Sequence, residues 1–286
     1  MEKTGSRKSN QRKIRGLDIF LYGLMIVFSI GQLFPLVWLV DFSLCKSGDL
    51  FGANILKWPN PPQWHNYVTA WVDGHISRFL FNSLVVNISA GFFTVLFSLM
   101  MGYAFTRMEW KLSKKTLAFV LLGMMIPIHA TLLPNFQTFR FFGIDDSYLA
   151  LIIPYIAFSL PLGVFLMTGF METIPRSVEE AAVLDGCGIF RIIFSIILPL
   201  TKPAVVTIVI MTFLNTWNEF IMAATYLSSN TYRTLPFAVY NFAGQYASNY
   251  SVQFAVMNLV ALPSLLVYIV LNEQITKGVT AGALKG

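Results

Sequence analysis

The sequence of 286 residues is 56% hydrophobic and only 12% charged. Soluble domains are about 45–50% apolar and about 25% charged, so this composition argues against a water-soluble enzyme. Intrinsic disorder is excluded, because this much apolar surface does not stay solvated. The net charge of +6 would suggest a nucleic-acid partner in a soluble protein. Six basic residues, however, lie within residues 1–16, directly before an apolar run, so we interpret them as a cytoplasmic anchor against anionic lipid and expect no nucleic-acid partner.

Six apolar stretches are each long enough to cross a membrane, which takes a helix of about 20 residues for a hydrocarbon core of ~30 Å. They are residues 17–44, 79–105, 116–136, 149–170, 204–227 and 253–274. The sequence therefore predicts an all-α, polytopic membrane protein with six transmembrane helices. We expect kinks in these stretches at five prolines, Pro35, Pro127, Pro154, Pro161 and Pro263.

The first span is expected to be retained. The apolar run of residues 17–40 is too long for a signal peptide, and no small-residue cleavage site follows it. We therefore divide the chain into a basic N-terminus, a six-span domain and a C-terminal tail, which are residues 1–16, 17–275 and 276–286.

The basic residues predict how the spans are oriented. With six spans, both termini lie on one side of the membrane, and the segments on that side hold 15 of the 20 Lys and Arg residues. Cytoplasmic loops carry an excess of Lys and Arg. We therefore expect a multi-pass protein of a bacterial plasma or inner membrane with both termini in the cytoplasm.

The external segment of residues 43–77 is long and carries Trp58 and Trp64 around three prolines. Tryptophan favours the membrane interface, and proline stiffens the chain. Two interpretations stay open for this segment: a contact with an extracellular partner, or a passive cover over the spans.

Residues 172–203, between the fourth and fifth spans, are too polar and too broken to cross a membrane. Ser177 and Glu180 have the spacing of a capping box, which predicts a helix from about Val178. Gly186 and Gly188 should end this helix. A second short helix, residues 189–197, is expected to follow and to stop at Pro199.

This pair of short helices should form a compact knob that another protein can contact. Ala181 and Ala182 expose little side chain, which would permit close approach to the helix backbone. Apolar side chains that could fill a partner's groove are Val178, Leu184 and Phe190. An amphipathic helix on the inner leaflet is the alternative, but its acidic residues would face anionic lipid.

The same segment resembles the EAA loop of ABC importer permeases. Glu180-Ala181-Ala182 is followed after three residues by Gly186 and after nine more by Ile196-x-Leu198-Pro199, which matches every anchor of that signature. The resemblance implies that the loop docks into a cleft of an ATP-hydrolysing subunit, whose closure moves the loop and the spans. The implied docking residues are Ser177, Glu180, Ala181, Ala182, Asp185, Gly186, Ile196, Leu198 and Pro199.

Polar residues within the predicted fifth span are candidates for a substrate path. Asn215, Asn218 and Glu219 lie three and four residues apart, so they should share one helix face. Beside Trp217, such a polar stripe suits a sugar, whose hydroxyl groups need hydrogen-bond partners and whose rings stack on aromatic side chains. Hydrogen bonding between helices is the alternative interpretation. Weaker candidates of the same kind are Asn82, Asn87 and Gln137.

A second resemblance is to the smaller permease of carbohydrate importers of the maltose/maltodextrin type. It rests on the segments Asn-Thr-Trp-Asn-Glu-Phe at 215–220, Arg-Thr-Leu-Pro at 233–236 and the C-terminal residues 277–286. It covers the chain from about Phe79 to the end and matches the first span only loosely. The resemblance implies that the tail contacts the ATPase pair through Lys277, Gly278, Gly282 and Lys285.

We expect this chain to be a transport subunit, without catalytic residues, a metal or a cofactor of its own. It has no Gly-Lys pair for a Walker A motif, so ATP and Mg²⁺ should be held by a separate ATPase. The resemblance implies a second homologous permease, two ATPase subunits and an extracellular or periplasmic solute-binding protein. The expected function is half of the membrane path for a carbohydrate, a di- or oligosaccharide.

Other functions stay open from the sequence. An ABC permease for amino acids or peptides would share the loop signature but not the patterns in the fifth span and the C-terminus. A secondary transporter should show an inverted repeat and paired intramembrane carboxylates. An intramembrane enzyme would need a nucleophile–base pair or a metal site within the spans.

Overall fold

The computed structural model describes residues 4–48, 58–245 and 249–283, and within these ranges it contains thirteen α-helices and no strand. Four helices are long and apolar enough to cross a membrane: α1 (Thr4–Ser43), α3 (Ile76–Thr106), α6 (Leu149–Met171) and α13 (Tyr250–Ala283). Two further pairs of helical segments pass the same test only when each bent pair is taken as one span. The predicted all-α, polytopic class is confirmed, with four continuous spans and two broken ones.

The third predicted span is not a single helix. Its first half is α4 (Ser113–Leu122) and its second half is α5 (Leu132–Phe142), and the two parts meet at 94°. Ile126 and Pro127 are extended, with ψ near 119° and 120°. Proline disfavours helical geometry at the residue before it, so the expected kink becomes a right-angle break. The other four prolines stay inside continuous helices: Pro35, Pro154, Pro161 and Pro263.

The fifth predicted span, residues 204–227, is interrupted at residues 218–220, between α10 (Lys202–Trp217) and α11 (Ile221–Tyr226). A helical run of α8 (Ile189–Arg191), a π-helix (Ile192–Ile197) and α9 (Leu198–Leu200) precedes it and meets α10 at 78°. The helix expected to stop at Pro199 therefore continues to Leu200. Pro199 lies at the start of α9, directly after the wide turns of the π-helix.

Contacts group the chain into two units, the first of which contains residues 1–70 and 242–258. In this unit the Asn258 amide donates hydrogen bonds of 3.1 Å to the Leu39 carbonyl and to the Tyr67 hydroxyl. Asn66 donates to the carbonyl of Ser43 at 2.8 Å. The segment of residues 43–77, predicted to be external, is therefore partly helical, since it contains α2 (His65–Asp73). The hydrogen bond from Asn66 attaches α2 to the end of α1.

The second unit contains residues 71–241 and 259–286, and its centre is the close packing of α3 on α6. A Cβ atom added to Gly163 would overlap Ser98 Oγ, and one added to Gly102 would lie 2.8 Å from Met167 Cγ. At one end of this helix pair, buried side chains of several helices form one apolar core. Its members are Leu99, Tyr103, Met167, Met171, Ala182, Ile192, Ile193, Ile197, Ala204 and Ile208.

At the other end of the second unit, Asn82 fixes the loop that follows α11. Its amide donates to the carbonyls of Thr231 and Arg233 at 2.9 and 2.8 Å, and its Oδ1 accepts from the Tyr148 hydroxyl at 2.7 Å. The next helix, α12, spans Pro236–Gln245. All the hydrogen-bonding groups of the Asn82 amide therefore serve packing, and the predicted role of Asn82 in a substrate path is not supported.

The predicted C-terminal tail begins inside a helix, because α13 continues to Ala283. Lys277, Gly278 and Gly282 are part of its backbone. Lys285 lies outside the described residues.

Candidate functional site

The loop of residues 172–203 carries α7 (Ser177–Leu184), which begins one residue earlier than predicted. Arg176 precedes it with helical dihedral angles and makes no side-chain capping bond. Ser177 and Glu180 are therefore both inside the helix, and the predicted capping box is wrong. The first turn is started instead by backbone bonds to the carbonyls of Pro175 and Arg176. Both side chains of the proposed box are exposed.

The glycine corner forms as predicted. Gly186 has φ of +78°, a left-handed conformation that glycine adopts without a steric penalty. Its N–H bonds the Val183 carbonyl at 2.9 Å, and the N–H of Cys187 bonds the Ala182 carbonyl at 2.9 Å. These bonds satisfy the last carbonyls of α7. Gly188 is in an ordinary extended conformation, with φ of −75° and ψ of 161°.

The two sides of α7 have different environments. Ala181 is exposed, but Ala182 is only 6% exposed and belongs to the apolar core. The prediction that both alanines lie on an accessible surface is therefore right for Ala181 and wrong for Ala182. Leu184 is 89% exposed and Phe190 is 67% exposed, one on each side of Gly186. Val178 is half-buried. The corner therefore presents a group of exposed apolar side chains, which also includes Val183 and Ile189, and Leu184 and Phe190 are the most exposed of them.

The remaining predicted docking residues also differ in how exposed their side chains are. Asp185 and Pro199 are exposed, whereas Ile196 and Leu198 are half-buried against the apolar core. The exposed surface around the corner thus includes Ser177, Glu180, Ala181, Leu184, Asp185, Gly186 and Phe190.

Sequence reasoning missed an ion pair between α3 and this loop. Arg107 Nε lies 2.7 Å from Glu179 Oε1, with side chains only 7% and 12% exposed. The Arg107 Nη2 group donates to the carbonyls of Met171 and Ile174 at 2.8 and 2.7 Å. A groove of about 430 Å³ lies beside the pair. The only sequence signal was an acidic residue next to Glu180, and nothing in the spacing connects it with Arg107.

The interruption at residues 218–220, between α10 and α11, changes the interpretation of the polar residues in the predicted fifth span. Helix α10 ends at Trp217, so Asn215, Asn218 and Glu219 do not share one helix face, and that prediction is wrong. Glu219 accepts hydrogen bonds from the backbone N–H groups of Met222 at 2.7 Å and Ala223 at 3.3 Å. Its carboxylate thus satisfies the free donors at the start of α11, which is where a helix favours negative charge.

Trp217 is not available to a sugar on the described chain. Its side chain is 1% exposed, and its ring stacks on Phe213 with centroids 4.9 Å apart. Asn215 is exposed and borders a small cavity of about 30 Å³, whose other walls are α6 residues such as Ser159 and α10 residues such as Thr212. Asn218 is also exposed.

The other two weaker candidates for the path have opposite environments. Asn87 is buried, donates to the Ser83 carbonyl at 2.8 Å and has its Oδ1 2.5 Å from the Thr216 hydroxyl, so it ties α3 to α10. Gln137 is exposed on α5. Among the predicted path residues, Asn215, Asn218 and Gln137 therefore keep a free surface within the described part of the chain.

Helices long and apolar enough to span a membrane, joined by a structured two-helix loop, define a polytopic all-α membrane protein. The chain belongs to the family of binding-protein-dependent transport system inner membrane components, whose model matches residues 94–280. It is thus a transport subunit, and the family predicted from its sequence is confirmed. Membership favours the permease function over the secondary transporter.

Two relatives and one solved structure extend the similarity over nearly the whole chain. The sulfoquinovosyl glycerol transport system permease protein SmoH of Agrobacterium fabrum (strain C58) is 32% identical, covering 95% of this chain and 97% of the relative. The arabinooligosaccharides transport system permease protein AraQ of Bacillus subtilis (strain 168) is 30% identical, covering 98% and 99%. A chain from the crystal structure of a bacterial ABC transporter involved in the import of the acidic polysaccharide alginate has a similar fold, with a TM-score of 0.79, 21% identity and coverage of 92% and 97%.

Proposed function

We propose that this chain is one of two homologous permeases in an ATP-driven carbohydrate importer, and that it forms half of the membrane path for a di- or oligosaccharide. The observation that carries the proposal is similarity along almost the full length of two permeases named for sulfoquinovosyl glycerol and arabinooligosaccharides. The patterns at residues 215–220 and 233–236 support the same class of substrate.

The exposed corner at Gly186 is the docking point for a cytoplasmic ATPase subunit in this proposal. Leu184 and Phe190 would enter an apolar groove of that subunit, in the way that a helix occupies a groove. ATP and Mg²⁺ are held by the ATPase pair, and the end of α13 with Lys277 lies along it. A solute-binding protein delivers the sugar on the opposite face, and both termini are cytoplasmic.

Transport then follows from a two-state equilibrium of the spans. Closure of the ATPase pair on ATP moves the loop of residues 172–203, and the spans change from one access side to the other because ATP binds one state more tightly. In this proposal the exposed amides of Asn215, Asn218 and Gln137 offer donors and acceptors to sugar hydroxyl groups.

Reconstitution tests this function. This chain is placed in liposomes together with a second permease, an ATPase and a solute-binding protein from the same organism. Uptake of tritiated arabinotriose, maltotriose, sulfoquinovosyl glycerol and methionine is then measured with and without MgATP. We expect ATP-dependent uptake of a carbohydrate only. Uptake of methionine alone, or transport by this chain without its partners, would refute the proposal.

Docking is tested with a matched pair of variants. The double substitution Leu184→Gln/Phe190→Gln should weaken binding of the ATPase to the permeases, because it removes the two most exposed apolar side chains of the corner. Leu112→Gln changes a leucine that is 56% exposed outside this loop and should leave ATPase binding intact. Equal binding by the two variants would place the ATPase elsewhere.

A further inference from the structure

We propose that Arg107 and Glu179 form a clamp that makes α7 move as one body with α3 and α6. A displacement of the loop would then enter the bundle through side chains of α3 and α6, and α10 would follow because its Ala204 and Ile208 belong to the same apolar core. This inference rests on the proposed ATP-driven function and adds two positioning residues to it.

One guanidinium group joins three segments of the chain. Arg107 follows the last residue of α3, its Nε pairs with Glu179 in α7 at 2.7 Å, and its Nη2 holds the carbonyls of Met171 and Ile174 at the end of α6. A planar fork of donors is suited to bind several acceptors in fixed directions. Only small parts of the two side chains, 7% and 12%, are exposed at the groove beside the pair, so water can replace little of their interaction.

The helices that the clamp connects are already packed tightly. Gly163 makes room for the Ser98 side chain of α3 and Gly102 for the Met167 side chain of α6, so these two helices interlock. Ala182 inserts α7 into the same apolar core. Close-packed interiors transmit displacement because they contain few voids that could absorb it. Helices α3, α6 and α7 are therefore expected to respond to a force as one body.

Helix α10 is attached to this body by packing as well as by the chain. The chain turns by 78° before α10 begins, but Ala204 and Ile208 of α10 belong to the same apolar core. Asn87 of α3 also accepts a hydrogen bond from Thr216 of α10. Asn215 is exposed on α10 beside a cavity that borders α6. A reorientation of the body between two access states would therefore change the access of water to Asn215, which provides a reporter that needs no transported sugar.

The test uses the assembled permease–ATPase complex in liposomes. Asn215→Cys is introduced together with Cys45→Ser and Cys187→Ser, and its rate of reaction with a water-soluble maleimide is measured without nucleotide and after trapping with MgATP and vanadate. ATP hydrolysis is measured in parallel. We expect Glu179→Gln to retain hydrolysis and to reduce the nucleotide-dependent change in labelling by about fivefold or more. Glu109→Gln, an exposed acid two residues after Arg107, is the control and should behave like the parent.

A double variant separates positioning from folding. Glu179→Gln leaves the Arg107 charge buried without a partner, so it could fail to assemble. The neutral pair Arg107→Gln/Glu179→Gln avoids that charge and should lose the labelling change while keeping assembly and hydrolysis. An unchanged labelling response in this variant, or a joint loss of assembly, hydrolysis and labelling, would overturn the clamp. If the parent complex itself shows no nucleotide-dependent change, the ATP-driven function fails instead.

Discussion

The Tyr155 hydroxyl donates a hydrogen bond of 2.8 Å to Glu219 Oε2, which joins the first half of α6 to the segment between α10 and α11. The same carboxylate caps α11 through the N–H groups of Met222 and Ala223. An acidic group at membrane depth is thus satisfied within one chain. This relationship favours the packing interpretation of Glu219 over a role in lining the path.

Removing the Glu219 charge should therefore affect stability first. Glu219→Gln has one acceptor oxygen in place of two, so at least one of its three bonds is lost, at a cost of about 1–3 kcal/mol. We expect a lower midpoint of thermal unfolding in detergent, followed by tryptophan fluorescence, with a smaller decrease for Tyr155→Phe. An unchanged midpoint together with weaker sugar uptake would support a role of Glu219 in lining the substrate path instead.

The contact between α3 and α6 should tolerate no added volume at Gly163. Gly163→Ala forces Ser98 to move, and overpacking of a tight interior costs about 1–3 kcal/mol. Ser98→Ala added to this variant should recover part of the lost thermal stability. Gly91→Ala, where an added Cβ meets no atom within 4 Å, should show no decrease. Equal effects at Gly163 and Gly91 would contradict the close approach.

The Gly186 corner should be sensitive to backbone geometry. A valine at φ of +78° is strained by about 1–2 kcal/mol, so Gly186→Val should distort the corner while the spans remain folded. We expect ATP hydrolysis to persist and uptake per ATP in proteoliposomes to fall by about fivefold or more. Gly188→Val, at an ordinary extended position, is the comparison and should retain more of the coupling. Unchanged uptake by Gly186→Val would remove this corner from the docking site.

Asp146 should make stability depend on acid pH. Partial burial raises the pKa of this carboxyl, but hydrogen bonds from the N–H groups of Ser229 and Ser228, both at 3.0 Å, outweigh it and hold the pKa below its ordinary value. A lowered pKa stabilises the folded state at neutral pH, and this contribution is lost as the pH falls through the folded-state pKa. The thermal midpoint of the protein should exceed that of Asp146→Asn at neutral pH, and the gap should close in acid. A gap that does not change with pH would contradict the assignment.

The continuous spans could be predicted because their only requirement is a long apolar run, and α6 agrees with its predicted start at Leu149. The 94° angle at Pro127 could not be predicted, because a hydropathy pattern shows that a segment is apolar but not whether its helix runs straight or turns. The corner at Gly186 was predictable since its signal, a glycine after a short polar helix, is local.

The interactions that define the site depend on residues distant in sequence, and these could not be predicted. Spacing placed Glu219 on a continuing helix, but its bonds to Tyr155 and to the backbone of α11 favour a break. Arg107 entered only as one more basic residue, because its partner Glu179 is brought near by the packing of three helices. Trp217 was expected beside a path because sequence does not reveal which face of a helix is covered.

The π-helix of residues 192–197 makes this stretch unequally tolerant of changes in its length. A wide turn of this type accommodates an additional residue compared with an ordinary helix. Deleting one residue there would restore regular winding and leave the downstream helix in nearly the same orientation. An inserted residue would instead rotate everything downstream, because each residue of an α-helix turns the chain by about 100°. A single deletion in this stretch should therefore be accepted more readily than a single insertion.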